Sequence, residues 1–333
     1  MTYLNLIFTA CVLFFPPIPA KAGSNEGVGI EKLDVTDPVA QRPMDVVAFF
    51  PSSSSPAEET LIGPYQVAAS KSGEIGGSRY PVIVISHGSA GSMWSHHDLA
   101  SALARKGNIV ISVTHPGDNF RDTSQVGAVS NIYGRPAQIT AVLNSALQNS
   151  MLAPHMDSQR IGFVGFSAGA TTGLILAGAK PTFSRFENYC SQRPDDRHVC
   201  EAQGKIRNDR PELAPSVDPR IRCLVLLAPF SVMFPPEELK RIAVPALIFV
   251  GTQDKELSPS DNAIALVHEL TSKTTLEVIP NAGHYTFLAP CSSQLTQSAP
   301  ELCIDNAEIN RVALHQKINS EIAEHFNRTL GAL

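Results

Sequence analysis

Short apolar runs rich in β-branched residues alternate along this chain with segments whose apolar residues recur at helical spacing. Pro81-Val82-Ile83-Val84-Ile85-Ser86 and Asn108–Thr114 lack the polar alternation of a half-exposed strand, so they predict strands buried on both faces. Arg160–Phe166, Ile221–Ala228, Ala246–Gly251 and Thr275–Ile279 read as further strands. Arg42–Phe50 predicts an earlier one, ahead of a Ser/Pro-rich turn at 51–56. Between these runs, Trp94–Lys106 carries Leu99, Leu103 and Ala104 at helical spacing and stops at Gly107. Arg135–Leu152, the small-residue segment Ala168–Ala179 and an amphipathic stretch from about Asn306 predict three more helices. Strand and helix in alternation make an α/β fold, a mostly parallel central sheet with helices on both faces. Residues 180–219 break the rhythm. They are rich in Arg, Asp, Pro and Cys and too polar to own a core, so they read as an insertion over one end of the sheet. Residues 23–333 are then a single domain carrying one excursion.

Residues 1–22 have a different character. Leu4–Phe15 is apolar apart from Asn5 and Thr9, Pro16-Pro17 follows, and Ala20-Lys21-Ala22 is a small-x-small cleavage pattern. This reads as a signal peptide, which makes the mature protein exported, either periplasmic or secreted. No apolar run reaches the roughly 18 residues needed to cross a bilayer, so no membrane span is expected. The 333 residues are 43% apolar and 17% charged, an ordinary globular composition. A formal charge of −5, with no basic block, leaves nucleic acid without an electrostatic footprint to bind.

Cysteine usage agrees with export. Cys190, Cys200, Cys291 and Cys303 lie in polar stretches, whereas Cys223 lies inside the apolar run 221–228. Four loop cysteines allow three pairings. Pairing neighbours closes two short loops, so disulfides Cys190–Cys200 and Cys291–Cys303 are expected, with Cys223 a free core thiol. Neither pair has zinc-ligand spacing, and no metal is expected.

The sharpest chemical signal is Gly165-Phe166-Ser167-Ala168-Gly169, a G-x-S-x-G pentapeptide at the end of a strand and the start of a helix. The tight turn exposes the Ser167 hydroxyl and aims a helix N-terminus at it, which suits a developing oxyanion. A serine nucleophile needs a base, and the base needs an orienting carboxylate. Asp254 follows the strand 246–251 and His284 follows the strand near Ile279, so all three residues sit at carboxyl ends of successive strands. Asp254 also has the position of a helix N-cap. His87-Gly88-Ser89 directly follows the strand 81–86, which makes the N–H groups of Ser89 and Ala168 the expected oxyanion donors. His87 reads as a loop-shaping hydrogen-bonding residue and not as a second base. The adjacent His96 and His97 point in different directions on a helix, a poor metal tract. His115-Pro116-Gly117-Asp118 ends a strand on the same edge and reads as a turn before it reads as a substrate contact. Phe166, Phe230, Met233, Phe234, Tyr285 and Phe287 lie just past the catalytic strand ends and are candidates to line an acyl pocket. Arg121 and Arg135 are the only cations placed near that edge.

These motifs resemble the α/β-hydrolase superfamily. Thr114-His115-Pro116-Gly117-Asp118-Asn119, Phe186–Cys190 and Gly283–Cys291 are similar more narrowly to bacterial predicted dienelactone hydrolases, relatives of the platelet-activating-factor acetylhydrolases. The resemblance covers about 42–330 and implies an α/β-hydrolase fold with Ser167 as nucleophile, Asp254 as acid and His284 as base. Dienelactone hydrolases carry cysteine at the elbow, so Ser167 points away from a dienelactone and toward a serine esterase. Ala170 also stands where relatives often have glycine. The expectation is a serine carboxylic-ester hydrolase that forms an acyl-enzyme, needs no cofactor and acts on small neutral esters with short to medium acyl chains. Acyl transfer to an alcohol would use the same residues, and a non-catalytic binding module could share the fold.

Overall fold

A computed structural model describes residues 27–53, 59–71, 73–77, 79–200 and 204–331. The expected signal peptide at 1–22 lies outside them. The strands are β1 (Gly27–Thr36), β2 (Pro43–Ser52), β3 (Thr60–Ile62), β4 (Tyr65–Val67), β5 (Tyr80–Ser86), β6 (Ile109–Thr114), β7 (Met156–Phe166), β8 (Ile221–Leu227), β9 (Ala246–Gly251) and β10 (Thr274–Ile279). Among the described residues, eight of them form one sheet in the order β1-β2-β6-β5-β7-β8-β9-β10. β1, β2 and β6 pair antiparallel. From β6 to β10 every pairing is parallel, as the alternating pattern predicts.

The central parallel strands are apolar over most of their length because helices cover both of their faces. Val82, Val84, Ile111, Phe163, Leu224 and Ile248 pack on one face, beneath the helices Gly134–Ala146 and Ala168–Leu176. The alternate residues Ile83, Ile85, Val110, Val164, Val225 and Phe249 pack on the other, beneath His97–Arg105 and Arg311–Leu330. The period of two thus survives in which layer each residue joins, although both layers are buried.

Several boundaries differ from the sequence expectation. β1 went unrecognised because Glu31, Lys32 and Asp34 break its apolar pattern, which an edge strand tolerates. The small hairpin of β3 and β4 is likewise additional. The second helix ends at Ala146, not Leu152, and Asn149 then captures the N–H groups of Met151 and Leu152 with its side chain. The elbow helix ends at Leu176, ahead of Gly178 at φ 115°. The C-terminal helix starts at Arg311, where the Asn310 side chain accepts from Ala313 N at 3.0 Å.

The polar segment 180–219 runs between the elbow helix and β8. It contains the helix Phe183–Gln192, and its backbone or side chains bond to Met233, Asp261 and Gly127. Those three residues belong to loops that follow the carboxyl ends of β8, β9 and β6. Phe186 and Cys190 turn inward and join the core. Disulfides Cys190–Cys200 and Cys291–Cys303 are both present, and Cys223 is a buried free thiol. Burial pushes the Cys223 pKa up to about 12, so it is inert toward thiolate chemistry. Non-reducing peptide mapping should recover these two links, with Cys223 unalkylated until the protein is denatured. Replacing Cys291 and Cys303 together by serine should lower unfolding stability in urea by about 3 kcal/mol on the chain-entropy model.

Candidate active site

The nucleophile elbow is a backbone problem before it is a chemical one. Ser167 joins β7 to the helix Ala168–Leu176 at φ 52°, ψ −115°, a strained conformation for a residue with a side chain. The chain can turn so sharply only because its neighbours lack side chains. A Cβ on Gly165 would meet Gly169 O at 2.3 Å, and one on Gly169 would meet Ser86 O at 2.0 Å. Ser167 is pinned from β8 as well, donating its N–H to Leu227 O at 2.9 Å and accepting from Phe230 N at 3.3 Å.

The candidate base and acid come from loops that pack backbone against backbone. Gln253 N donates to Ala282 O at 2.9 Å, joining the turn after β9 to the turn after β10. This brings His284 Nδ1 to 2.8 Å from Asp254 Oδ2, with both side chains buried. Asp254 Oδ1 accepts from Glu256 N at 3.0 Å and Leu257 N at 2.8 Å. Asp254 is not a helix N-cap, since the next helix begins at Ser260 behind Pro259; one carboxylate oxygen holds the turn after β9 and the other orients the imidazole. The Phe166 ring lies 4.8 Å from the His284 ring, which seats the imidazole beside the residue preceding Ser167. Among the described residues no hydrogen bond joins Ser167 Oγ to His284; such bonds often tighten only around substrate. Asp261, the other aspartate after β9, lies in the short helix Ser260–Ile264 and pairs with Arg193.

Ser89 is exposed and Ala168 half-buried, and neither N–H donates to another group among the described residues. Two unspent donors beside the nucleophile are what an oxyanion site needs. His87 is structural, as its loop position implies. Its Nε2 accepts from His115 N at 3.0 Å, and its Nδ1 faces Gly88 O at 2.5 Å. Burial, reinforced by Arg135, pushes its pKa down to about 3, so the ring is neutral. His96 packs on Phe166 and His97 on Tyr65, which confirms that the two imidazoles diverge.

The acyl-pocket candidates need correction. Met233, Phe234 and Phe287 are each 1% exposed and Phe166 is 3% exposed, so these four are core residues. The loop after β8 folds back on itself, with Ser231 held by Asn262 and Met233 O capped by Thr182 N of the insertion. Phe230 and Tyr285 remain half-exposed next to the nucleophile and the base. The cations also turn out to be engaged, Arg121 with Asp45 on the surface and Arg135 with Asp118 in the interior. His115 and Asp118 are fully buried, so the turn reading of that segment holds and a direct substrate contact does not. Nothing local marks Arg135 of the helix Gly134–Ala146 as buried, because the carboxylate that pairs with it lies in the loop after β6.

A strained serine at a strand–helix elbow, a buried His–Asp pair and unspent N–H donors on one edge of this sheet define a hydrolase of the α/β class. The chain belongs to the alpha/beta hydrolase family, whose family model matches residues 82–292. Among curated proteins, none matches its sequence significantly. Three solved structures share the fold. A ferulic acid esterase from Streptomyces cinnamoneus is 18% identical, with a TM-score of 0.62 over 91% of this chain and 89% of its own. A dienelactone hydrolase-like promiscuous phosphotriesterase from metagenomic libraries is 13% identical, with a TM-score of 0.55 over 91% and 99%. A dienelactone hydrolase from Anabaena variabilis is 14% identical, with a TM-score of 0.50 over 90% and 99%.

The buried imidazoles around the site predict acid sensitivity. His87, His96 and His115 are wholly buried, and burial lowers the pKa of each. Below pH 6.5 the unfolded chain takes up protons at these positions and the folded chain does not, so stability falls with pH. Between pH 6.5 and 5, His87 and His96, lowered to about 3 and about 4, should each cost about 1–2 kcal/mol. His315 works in the opposite sense. Burial opposes its charge, but the adjacent Asp98 carboxylate outweighs burial and raises its pKa, so its contribution is present in acid and lost as pH rises. Burial lowers His97 and His325 as well, so five imidazoles stand against one and the urea midpoint should drop markedly from pH 7 to pH 5; an unchanged midpoint would mean that these rings take up protons in the folded state too.

Proposed function

We propose that this protein is an exported serine carboxylic-ester hydrolase acting through an acyl-enzyme. The observation that carries the reading is Ser167, held at φ 52° at the head of a helix beside the buried His284–Asp254 pair. Ser167 Oγ attacks the ester carbonyl while His284 Nε2 takes its proton. Asp254 Oδ2 holds Nδ1–H, which keeps Nε2 free to accept and stabilises the imidazolium that forms. The N–H groups of Ser89 and Ala168 receive the negative charge of the tetrahedral intermediate, and His284 returns its proton to the departing alkoxide. Water then repeats the sequence on the acyl-enzyme. All proton movement runs through His284, and the cycle calls for neither metal nor organic cofactor.

The substrates we assign are neutral esters with short to medium acyl chains. Phe230 and Tyr285 offer a small apolar surface, and each acyl methylene buried there contributes about 0.8 kcal/mol. Arg121 and Arg135 are both already paired, which leaves an anionic lactone without a counter-charge from either. The polar insertion narrows the catalytic edge, a poor lid for a lipid surface. Two disulfides accord with export into an oxidising compartment.

A fluorophosphonate probe should form a covalent adduct at Ser167, and absence of an adduct would favour a non-catalytic module. Ser167→Ala and His284→Ala should each reduce kcat by several orders of magnitude in folded protein, and Asp254→Asn should cost roughly 10⁴-fold through the wrong imidazole tautomer. Near-native kcat in Asp254→Asn would show that another acid serves. In a panel of p-nitrophenyl esters, an amide and a dienelactone, kcat/KM should be highest for the short neutral esters. A higher value for the amide or the dienelactone would overturn the substrate class while leaving the triad intact.

A further inference from the structure

The loop that carries Ser89 does not hold its own shape. Ala90 sits at φ 57°, where a residue with a Cβ is strained, and both Ser89 and Ala90 are exposed, so packing does not hold them there. Yet the peptide bearing the Ser89 N–H must stay fixed if that donor is to meet an oxyanion. The groups that fix it lie beneath. Asp118 Oδ1 accepts from Ala90 N at 2.9 Å. Asp118 Oδ2 accepts from Asn131 Nδ2 at 2.9 Å and from Arg135 Nη1 at 3.2 Å. Arg135 Nη2 in turn donates to the carbonyl of His87. A carboxylate thus holds the loop at its far side and a guanidinium holds it at its near side, with Gly88 and Ser89 suspended between. Phe120 N, two residues past Asp118, adds a bond to Gly91 O at 3.2 Å.

Stability alone does not account for this cluster. Arg135 is 2% exposed and Asp118 0%, and a buried ion pair generally does no better than the apolar residues that could replace it. Arg135 Nε and Asn131 Oδ1 are moreover buried without a hydrogen-bond partner among the described residues, so the cluster is not optimised as a structural unit. Every bond it does complete toward the active site ends on the backbone of residues 87–90. We infer that Asp118 and Arg135 are positioning residues for ester hydrolysis, clamping the His87–Ala90 backbone so that the Ser89 N–H is preorganised for the oxyanion. Neither touches substrate; both act through the loop.

This inference rests on the hydrolase reading, and its test separates the two. kcat and KM for a short-chain p-nitrophenyl ester would be measured alongside the Ki of a trifluoromethyl ketone, whose hemiketal oxygen occupies the oxyanion position. Asp118→Asn is isosteric and Arg135→Gln removes the charge and the fork. Each should lower kcat by roughly 10²- to 10³-fold, as loss of one oxyanion donor does, with KM changed less than about threefold. The ketone Ki should rise in parallel, and Arg135→Lys should recover at least part of the lost kcat. Asn131→Ala removes a neutral partner of Asp118 while keeping the ion pair, and should show a smaller loss of the same kind. Unchanged kcat and ketone affinity in a folded Asp118→Asn or Arg135→Gln, or a loss confined to KM, would overturn the clamp. A wild-type protein that neither hydrolyses esters nor reacts at Ser167 would overturn the hydrolase reading itself.

Discussion

The approach of one helix to the backbone of the central sheet is the constraint on which the site depends. Gly169 lies so close to β5 that a methyl group there would overlap Ser86 O, and Gly165 lies equally close to Gly169. This contact forces Ser167 into the left-handed region and out of the sheet plane. The helix behind it is almost wholly apolar and small, with Ala170, Leu174, Ile175 and Leu176 fully buried, so its burial offsets the strain at its head. The outward placement of Ser167 and the core packing of its helix are two ends of one arrangement.

A layer of buried polar groups continues from that contact toward the far edge of the sheet. Ser86 Oγ meets His115 Nε2 at 2.8 Å, His115 Nδ1 meets Gln138 Oε1 at 2.7 Å, and Gln138 Nε2 donates to Asp37 at 3.2 Å. The chain of bonds ties the end of β5 to the turn between β1 and β2. β1 and β2, far from the candidate site, are thereby coupled to the loop that carries Ser89. Buried polar networks of this kind are rigid when satisfied and costly when broken. That cost ties the geometry of the oxyanion loop to the integrity of the whole sheet.

The base has a comparable support on the opposite side. His315 of the C-terminal helix places Nδ1 at 2.7 Å from Asp98 and Nε2 at 2.8 Å from Thr286 O, two residues beyond His284. Both partners are acceptors, which the ring can satisfy together only as the imidazolium. Thr286 Oγ1 also accepts from Gly283 N at 3.0 Å and donates to Asp305 at 2.7 Å. His284 is thus fixed from the acid loop in front and from the last helix behind.

Strand identity, the parallel character of the sheet, the elbow and the order Ser167, Asp254, His284 were legible in the sequence, because each is written in a few contiguous residues. Apolar runs without alternation report burial on both faces, and G-x-S-x-G reports a turn that only small residues allow. The two disulfides were legible for the same reason, since each pairs cysteines close along the chain. β1 was not legible, because an edge strand pairs on one side only and tolerates charge. The acyl-pocket residues were half legible. Apolar side chains past a strand end suit either a pocket or a core, and only the fold-back of the loop after β8 sends Met233 and Phe234 inward while leaving Phe230 half-exposed. Asp118 and Arg135 show the limit most clearly. Each alone looks like a surface charge, and their burial follows from a meeting of a loop and a helix that no local pattern encodes. Local chemistry is written in neighbouring residues; which charges neutralise each other in the interior is decided only when distant segments pack.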